Sequence, residues 1–148
     1  MKVTSLCFLL RENPLQEILL GLKKRGFGSG RFNGFGGKPF KGESIEQCVL
    51  RELEEEAGVV VPPYELQKVA VLSFGHSITK VGTVEVHVFV AKQWKNEPRE
   101  TEEMIPLWFK LNEIPYDMMW ETDQEWVPQI MDIIGSTDFP RDMLVMEK

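Results

Sequence analysis

The segment RELEEEAGV, Arg51 to Val59, sets four glutamates within five residues. Read as a helix turning roughly 100° per residue, Glu52, Glu55 and Glu56 share one arc, while Glu54 points the opposite way. Neighbours at these spacings repel, at a cost of about 0.2–0.5 kcal/mol per pair. The cluster also lies toward the C-terminal end of its helix, where the backbone dipole disfavours anions. Two explanations are open. One is a solvated acidic face, the usual fate of a charge run. The other is a hard divalent cation, Mg2+ or Mn2+, which takes oxygen ligands and turns repulsion into coordination. Arg51, four residues before Glu55, is placed to pair with it or to fix its rotamer.

The helix that must carry these carboxylates is expected over 44–57. Ser44 with Gln47 makes a capping box, and Gly58 suits the left-handed position that ends a helix. Val60 and Val61 lead into Pro62 and Pro63, which prevent its continuation. Ile45, Val49, Leu53 and Ala57 form an apolar stripe for a core to cover. Before the helix lies a glycine-rich loop, 26–42, in which Gly34, Gly36 and Gly37 let the backbone come close to a ligand or a metal. It is not a P-loop, because Phe32 stands where that motif needs a glycine, and it contains no G-x-G-x-x-G.

The other elements follow from apolar runs and their punctuation. VTSLCFLL (3–10) reads as a buried strand, RENPLQ as a turn around Pro14, and EILLGLKKR (17–25) as a second strand, so the chain opens on a hairpin. Segments 65–74, 83–92 and 104–111 are β-rich, 120–134 is a second helix, and the last dozen residues are a weak tail. The order β-β-loop-α-β-β-β-α predicts one domain over 1–148 of the α/β (α+β) class, a mixed sheet flanked by helices. It leaves no room for the alternating βαβ units of a Rossmann domain.

Composition narrows the partners. Seventeen basic residues against 23 acidic ones give a net charge of −6, which argues against binding a nucleic-acid polymer. A small anionic ligand remains open if metal ions or a local patch such as Lys23-Lys24-Arg25 offset the field. The apolar runs are too short to span a bilayer, and the N-terminus lacks the apolar stretch and cleavage site of a secretory signal. Cys7 and Cys48, without a CxxC spacing, read as buried free thiols in a reducing, cytoplasmic setting. The chain is expected to be a monomer acting on a small molecule.

Gly37, Glu43, Arg51, Glu52, Leu53, Glu55, Glu56, Gly58 and Val59 stand at the spacing G-x5-E-x7-R-E-U-x-E-E-x-G-U. This is the Nudix box, matched at every defined position, and the chain resembles the Nudix hydrolases. The resemblance implies a mixed sheet between helices and Mg2+-dependent hydrolysis of a nucleoside diphosphate linked to a further group. Longer stretches, GLKKRGFGSGRFNGFGGK (21–38), VHVF (86–89), EEMIPLWFKLNEIPYDMMW (102–120) and WVP (126–128), resemble the animal oxidised-purine nucleoside triphosphatases of the MutT type. That implies sanitation of the nucleotide pool, with substrates such as 8-oxo-dGTP and 2-oxo-dATP cut to the monophosphate and pyrophosphate. The alternatives are another modified purine nucleotide, such as O6-methyl-dGTP, a different nucleoside diphosphate derivative, or a binding module without catalysis.

By the same resemblance, Gly37, Glu52, Glu55 and Glu56 hold Mg2+, with Mn2+ as a substitute. Arg51 orients the carboxylates, and the general base is Glu56, Glu52 or Glu103. Asn33 reads the base edge, Trp120 stacks on it, and Asp123 is the second of an aspartate pair whose first member is here Thr122. Phe27 and Phe74 line the base pocket, Ser5 and Leu6 form its floor, and Lys23 meets the phosphates. The residue types suit such a role, since a purine is a flat ring with donors and acceptors on its rim. Plainer roles stand beside several of these: Phe27 and Phe74 as core, Lys23 and Glu103 as solvated surface, Glu43 as a favourable charge at a helix start. Thr122 with Glu125 is also a capping box for the second helix. Trp108 and Trp126 are expected to pack, and His87, opposite the valines of its strand, to be solvated.

Overall fold

Strand β1 (Lys2–Arg11) is apolar on both faces, and this fixes the layers. Leu6, Phe8 and Leu10 join one buried cluster, while Cys7 and Leu9 join another. A strand covered on both faces reads as a continuous apolar run rather than an alternation, which is what SLCFLL presents. The computed structural model describes residues 1–12, 16–134 and 144–148. The turn expected around Pro14 lies outside the described residues.

β1 pairs antiparallel with β2 (Glu17–Lys23), as the hairpin reading requires. β1 also runs parallel to β5 (Val84–Ala91), which is antiparallel to β4 (Gln67–Phe74). The far edge of β2 carries β6 (Met104–Lys110). On its near edge, past Leu19 where pairing with β1 stops, the two-residue strand β3 (Phe32–Asn33) takes over opposite Gly21 and Leu22. β3 lies inside the segment expected as loop, and two residues are too few to leave a periodic signal. Helix α1 (Ile45–Ala57) covers the Cys7 and Leu9 face through Val49, Leu53 and Ala57. α2 (His76–Thr79) is a single turn between β4 and β5. Helix α3 (Asp123–Ile134) covers the other face through Trp126, Val127, Ile130 and Ile134.

Three expectations are corrected. The last dozen residues are not merely a tail: β7 (Leu144–Glu147) adds a strand parallel to β4, and Lys148 ties to Glu125 of α3 at 2.9 Å. The second helix starts at Asp123, not at residue 120, and contains Pro128. Among the described residues the Thr122 hydroxyl makes no hydrogen bond; its backbone carbonyl accepts from Glu125 N at 3.0 Å instead, so the capping box is not formed. Among the described residues no helix is long and apolar enough to cross a membrane.

The caps of α1 form as read. Ser44 Oγ accepts from Gln47 N at 3.0 Å, and Gln47 Oε1 accepts from Ser44 N at 2.9 Å. Gly58 closes the helix at φ +71°. The loop before α1 runs directly over β1: Phe35 exchanges backbone hydrogen bonds with Cys7, and Ser5 N donates to Gly37 O at 2.9 Å. A Cβ at residue 36 would collide with the Ser5 carbonyl, which is backbone and cannot step aside. Gly36→Ala therefore destabilises the protein in chemical denaturation by several times the cost of Gly30→Ala. Residue 30 has open space around it and pays only the left-handed strain, about 1–2 kcal/mol.

Candidate functional site

The acidic arc of α1 faces the glycine loop, and each of its carboxylates meets a different environment. Glu56 is 8% exposed, and its Oε1 accepts from Gly36 N at 2.9 Å. No Lys or Arg lies within ion-pair distance of it among the described residues. Burial pushes its carboxyl up to about 8, and the neighbouring charges of Glu52 and Glu103 push the same way against Gly36 N–H and Lys23. Glu52, one helical turn earlier, sits so close to the loop that a Cβ on Gly37 would lie 2.6 Å from its Oε1. Burial raises the Glu52 carboxyl too, although Arg51 opposes it. Glu55 is the outermost, bonded to Arg51 Nη1 at 3.2 Å with half of its side chain in solvent.

Arg51 is the hub of this face. Its Nε donates to Glu43 Oε2 at 2.8 Å, its Nη1 to Glu52 at 3.0 Å, and its Nη2 to the Lys38 carbonyl at 3.3 Å. The guanidinium lies over the Phe40 ring, 3.7 Å from its centroid. Glu43, held also by Phe40 N, is kept below the usual carboxylate range by this arginine. Glu43 thus anchors Arg51, and Arg51 in turn ties the glycine loop to the carboxylates of α1.

The Gly37 carbonyl gathers three donors: Ser5 N at 2.9 Å, Ser5 Oγ at 3.1 Å and Cys48 Sγ at 3.2 Å. Sequence reading missed this use of Ser5 and Cys48. Ser5 has the parity of Cys7 and Leu9, so it faces α1, whereas Leu6 lies on the opposite face with Phe32 and Phe74. The structure therefore brings Leu6, Phe74, Phe27, Trp120 and Asp123 to the α3 side and places Ser5 with the acidic arc, while Asn33, opposite Gly21, has the parity opposite to Phe32. Both cysteines are buried free thiols.

The donor set suits a hard cation. Two carboxyl groups raised by burial, one of them without a counter-cation among the described residues, stand against the glycine loop and can supply oxygen, while the Gly37 carbonyl is bonded to Ser5 and Cys48. Among the described residues no three acidic, His or Cys side chains stand together as one ligand group, and Arg51 is paired with both Glu52 and Glu55. Glu103 is bound to Arg25 Nη2 at 2.6 Å, which keeps its carboxyl below the ordinary range. The Lys23 ammonium has no ion pair among the described residues, and its charge reaches Glu56.

On the α3 side, Trp120 stacks with Phe27 at a centroid distance of 5.3 Å. Phe27 is 84% exposed, which removes it from the core reading, while Phe74 is buried. Asp123, 4% exposed, accepts from Trp120 N through Oδ2 at 3.1 Å. Burial pushes its carboxyl up to about 6. Asn33 Oδ1 accepts from Gly34 N at 3.0 Å, which leaves its amide NH2 without a partner among the described residues. Thr122 offers a hydroxyl beside Asp123. Trp126 packs against Phe8, and Trp108 against Trp94 beneath Arg11, as expected. His87 is not solvated: it lies half-buried on the α1 face, with Nε2 2.6 Å from Glu85 and Nδ1 buried without a partner among the described residues.

The NUDIX domain pattern matches residues 2–130. The oxidized purine nucleoside triphosphate hydrolase of Danio rerio is 45% identical over 115 residues, 78% of this chain and 72% of its own length. Its Mus musculus counterpart is 46% identical over 116 residues, with the same coverage. Among solved structures, a MutT NUDIX hydrolase from Burkholderia pseudomallei superposes with a TM-score of 0.72. It is 24% identical, over 86% of this chain and 96% of its own, and so speaks for the fold.

The Glu56 environment makes a pH prediction. Its folded value of about 8 lies above the ordinary 4.5. The folded protein thus holds a proton that the unfolded chain releases, and metal-free stability falls as pH rises from 4.5 to 8. Glu56→Gln keeps an acceptor for Gly36 N–H and carries no charge. In thermal melts without divalent metal the variant should be more stable than the parent at pH 9, with the gap closing below pH 5.

Proposed function

The chain belongs to the Nudix hydrolase family, and from that premise we propose that it cuts oxidised purine nucleoside triphosphates to the monophosphate and pyrophosphate. The observation that carries this reading is Glu56, a buried carboxylate without a counter-cation, anchored on the glycine loop beside Glu52. A group in that state is costly unless the site is completed by positive charge. Glu52, Glu55, Glu56 and the Gly37 carbonyl would hold Mg2+ or Mn2+. Such an ion, when bound, neutralises the triphosphate and activates the attacking water.

The protein's own groups have separable tasks. Gly36 N–H fixes one oxygen of Glu56, which leaves Oε2 to take the proton from the water as its oxygen bonds to phosphorus. By the family resemblance the attack falls on the β-phosphorus: its bond to the bridging oxygen breaks on the far side, the nucleoside monophosphate carries the electron pair away, and the water's oxygen stays on the pyrophosphate. Arg51 holds the loop and α1 together and sets Glu52. Lys23 meets the phosphates as a free ammonium on the same side as Glu56. Glu103 enters once it parts from Arg25, and stands as the alternative base.

The purine lies on the α3 side. Trp120 supplies a stacking face, Phe27 and Phe74 bound the slot, and Leu6 forms its floor. The free amide NH2 of Asn33 is a donor, and ionised Asp123 is an acceptor. Thr122 adds a hydroxyl at the rim. Curated relatives named for oxidised purine nucleotides, similar over three quarters of the chain, support this choice of base.

Pyrophosphate release from 8-oxo-dGTP, 2-oxo-dATP, O6-methyl-dGTP and dGTP, measured in parallel with magnesium, tests the substrate. An oxidised purine is expected to exceed dGTP by roughly ten-fold or more in kcat/KM, the worth of one well-placed hydrogen bond. Equal rates on all four would remove the oxidised-purine reading. Glu56→Gln and Glu52→Gln should each lose at least about a hundred-fold in kcat, the usual scale for a general base. Hydrolysis at the parent rate by both would refute the assigned chemistry.

A further inference from the structure

Arg31 ends the glycine turn between β2 and β3. Its backbone accepts from Lys23 N at 3.0 Å and donates to Gly28 O at 3.1 Å, so its position is set by the turn itself. The side chain then crosses to the segment before α3. Its guanidinium carbon lies 4.4 Å from the centroid of the Trp120 ring, and Nη1 donates to the Met119 carbonyl at 3.4 Å. Among the described residues no carboxylate lies within ion-pair distance of it. An unpaired arginine stacked on an aromatic face holds that ring by cation–π attraction. Trp120 N, on the same turn, is the donor to Asp123 Oδ2.

We propose that Arg31 is a positioning residue of the base pocket, fixing the Met119–Trp120 turn whose Trp120 N–H holds Asp123 and bringing a positive charge to that end of the pocket. This rests on the reading of that pocket as the purine site. The groups around Asp123 are few. Arg31 is the cation that opposes the rise of its carboxyl, the Trp126 indole lies near it, and the Tyr116 phenol is raised by its charge. From β4, Ala70, Leu72 and Phe74 bring only apolar surface to the shared cluster. Glu125, two residues on, is taken by Lys148. With Arg31 gone, nothing positive on these elements opposes the burial of Asp123, and the pocket loses its acceptor at a higher pH.

The test compares the parent protein with Arg31→Gln and Arg31→Lys. Binding of 8-oxo-dGMP is measured by calorimetry across pH without divalent metal, kcat and KM are measured on 8-oxo-dGTP with magnesium, and the Asp123 carboxyl is followed by carbon NMR. Arg31→Gln should weaken monophosphate binding about three- to ten-fold, with the change falling on KM more than on kcat. The pH below which binding fails should move upward, together with the Asp123 titration. Arg31→Lys should restore the pH position, through its charge, while regaining only part of the affinity, because an ammonium lacks the flat stacking face. Parent-like binding and an unmoved Asp123 in Arg31→Gln overturn the inference. So does an equal loss in both variants with no change in the pH profile, the signature of a merely structural role. If the parent protein itself ignores oxidised purines, the substrate reading fails, and the Asp123 titration still decides whether Arg31 acts on that carboxylate.

Discussion

The Glu56 carboxylate accepts one hydrogen bond, from the Gly36 amide, in a place water scarcely reaches. That contact has structural conditions on both sides. α1 must present Glu56 toward β1 rather than toward solvent, which the apolar stripe through Val49, Leu53 and Ala57 enforces. The loop must lie on the β1 backbone, which residue 36 allows only without a side chain. A helix built for stability alone would not carry three acids in its second half. These acids are held against the loop by Gly36 N–H on Glu56 and by Arg51, which locks loop to helix.

The sheet separates two kinds of recognition. Because β1 is buried on both faces, successive residues turn to opposite sides: Ser5 bonds the Gly37 carbonyl under α1, and Leu6 joins the apolar cluster beside α3. The phosphates and the base of one nucleotide can thus be handled by environments of opposite character. One side is acidic and built on a helix cap and a glycine loop. The other is aromatic, with an exposed Phe27 against Trp120 and a single buried carboxylate at Asp123. Thr122 beside it offers a hydroxyl rather than a second carboxyl.

Much of this was legible in the sequence because it rests on local rules. The capping box at Ser44 and Gln47, the left-handed Gly58 and the acid spacing specify α1 and its polar face without knowledge of the sheet. The hairpin, β4, β5 and β6 follow from apolar runs. What escaped depends on contacts distant in sequence. β3 is two residues long and is defined only by β2 beside it. β7 is four residues whose partner, β4, lies about seventy residues earlier. The side on which Ser5 falls is a matter of strand parity against Leu6, and the alternation of β1 is hidden because both of its faces are apolar. Nothing local marks Arg31, whose role comes from a turn that brings it to Trp120.

The proposed heart of the site is a divalent cation held by the carboxylates of α1 and the Gly37 carbonyl and serving the phosphates. Its most direct test is an anomalous difference map from crystals grown with Mn2+ and a non-hydrolysable triphosphate analogue. The account predicts a manganese peak bonded to oxygens of Glu52, Glu56 and Gly37 and to the analogue's phosphates, with Arg51 withdrawn from Glu52. Manganese bound elsewhere, with Glu52 still on Arg51 and Glu56 still buried against Gly36, would contradict it.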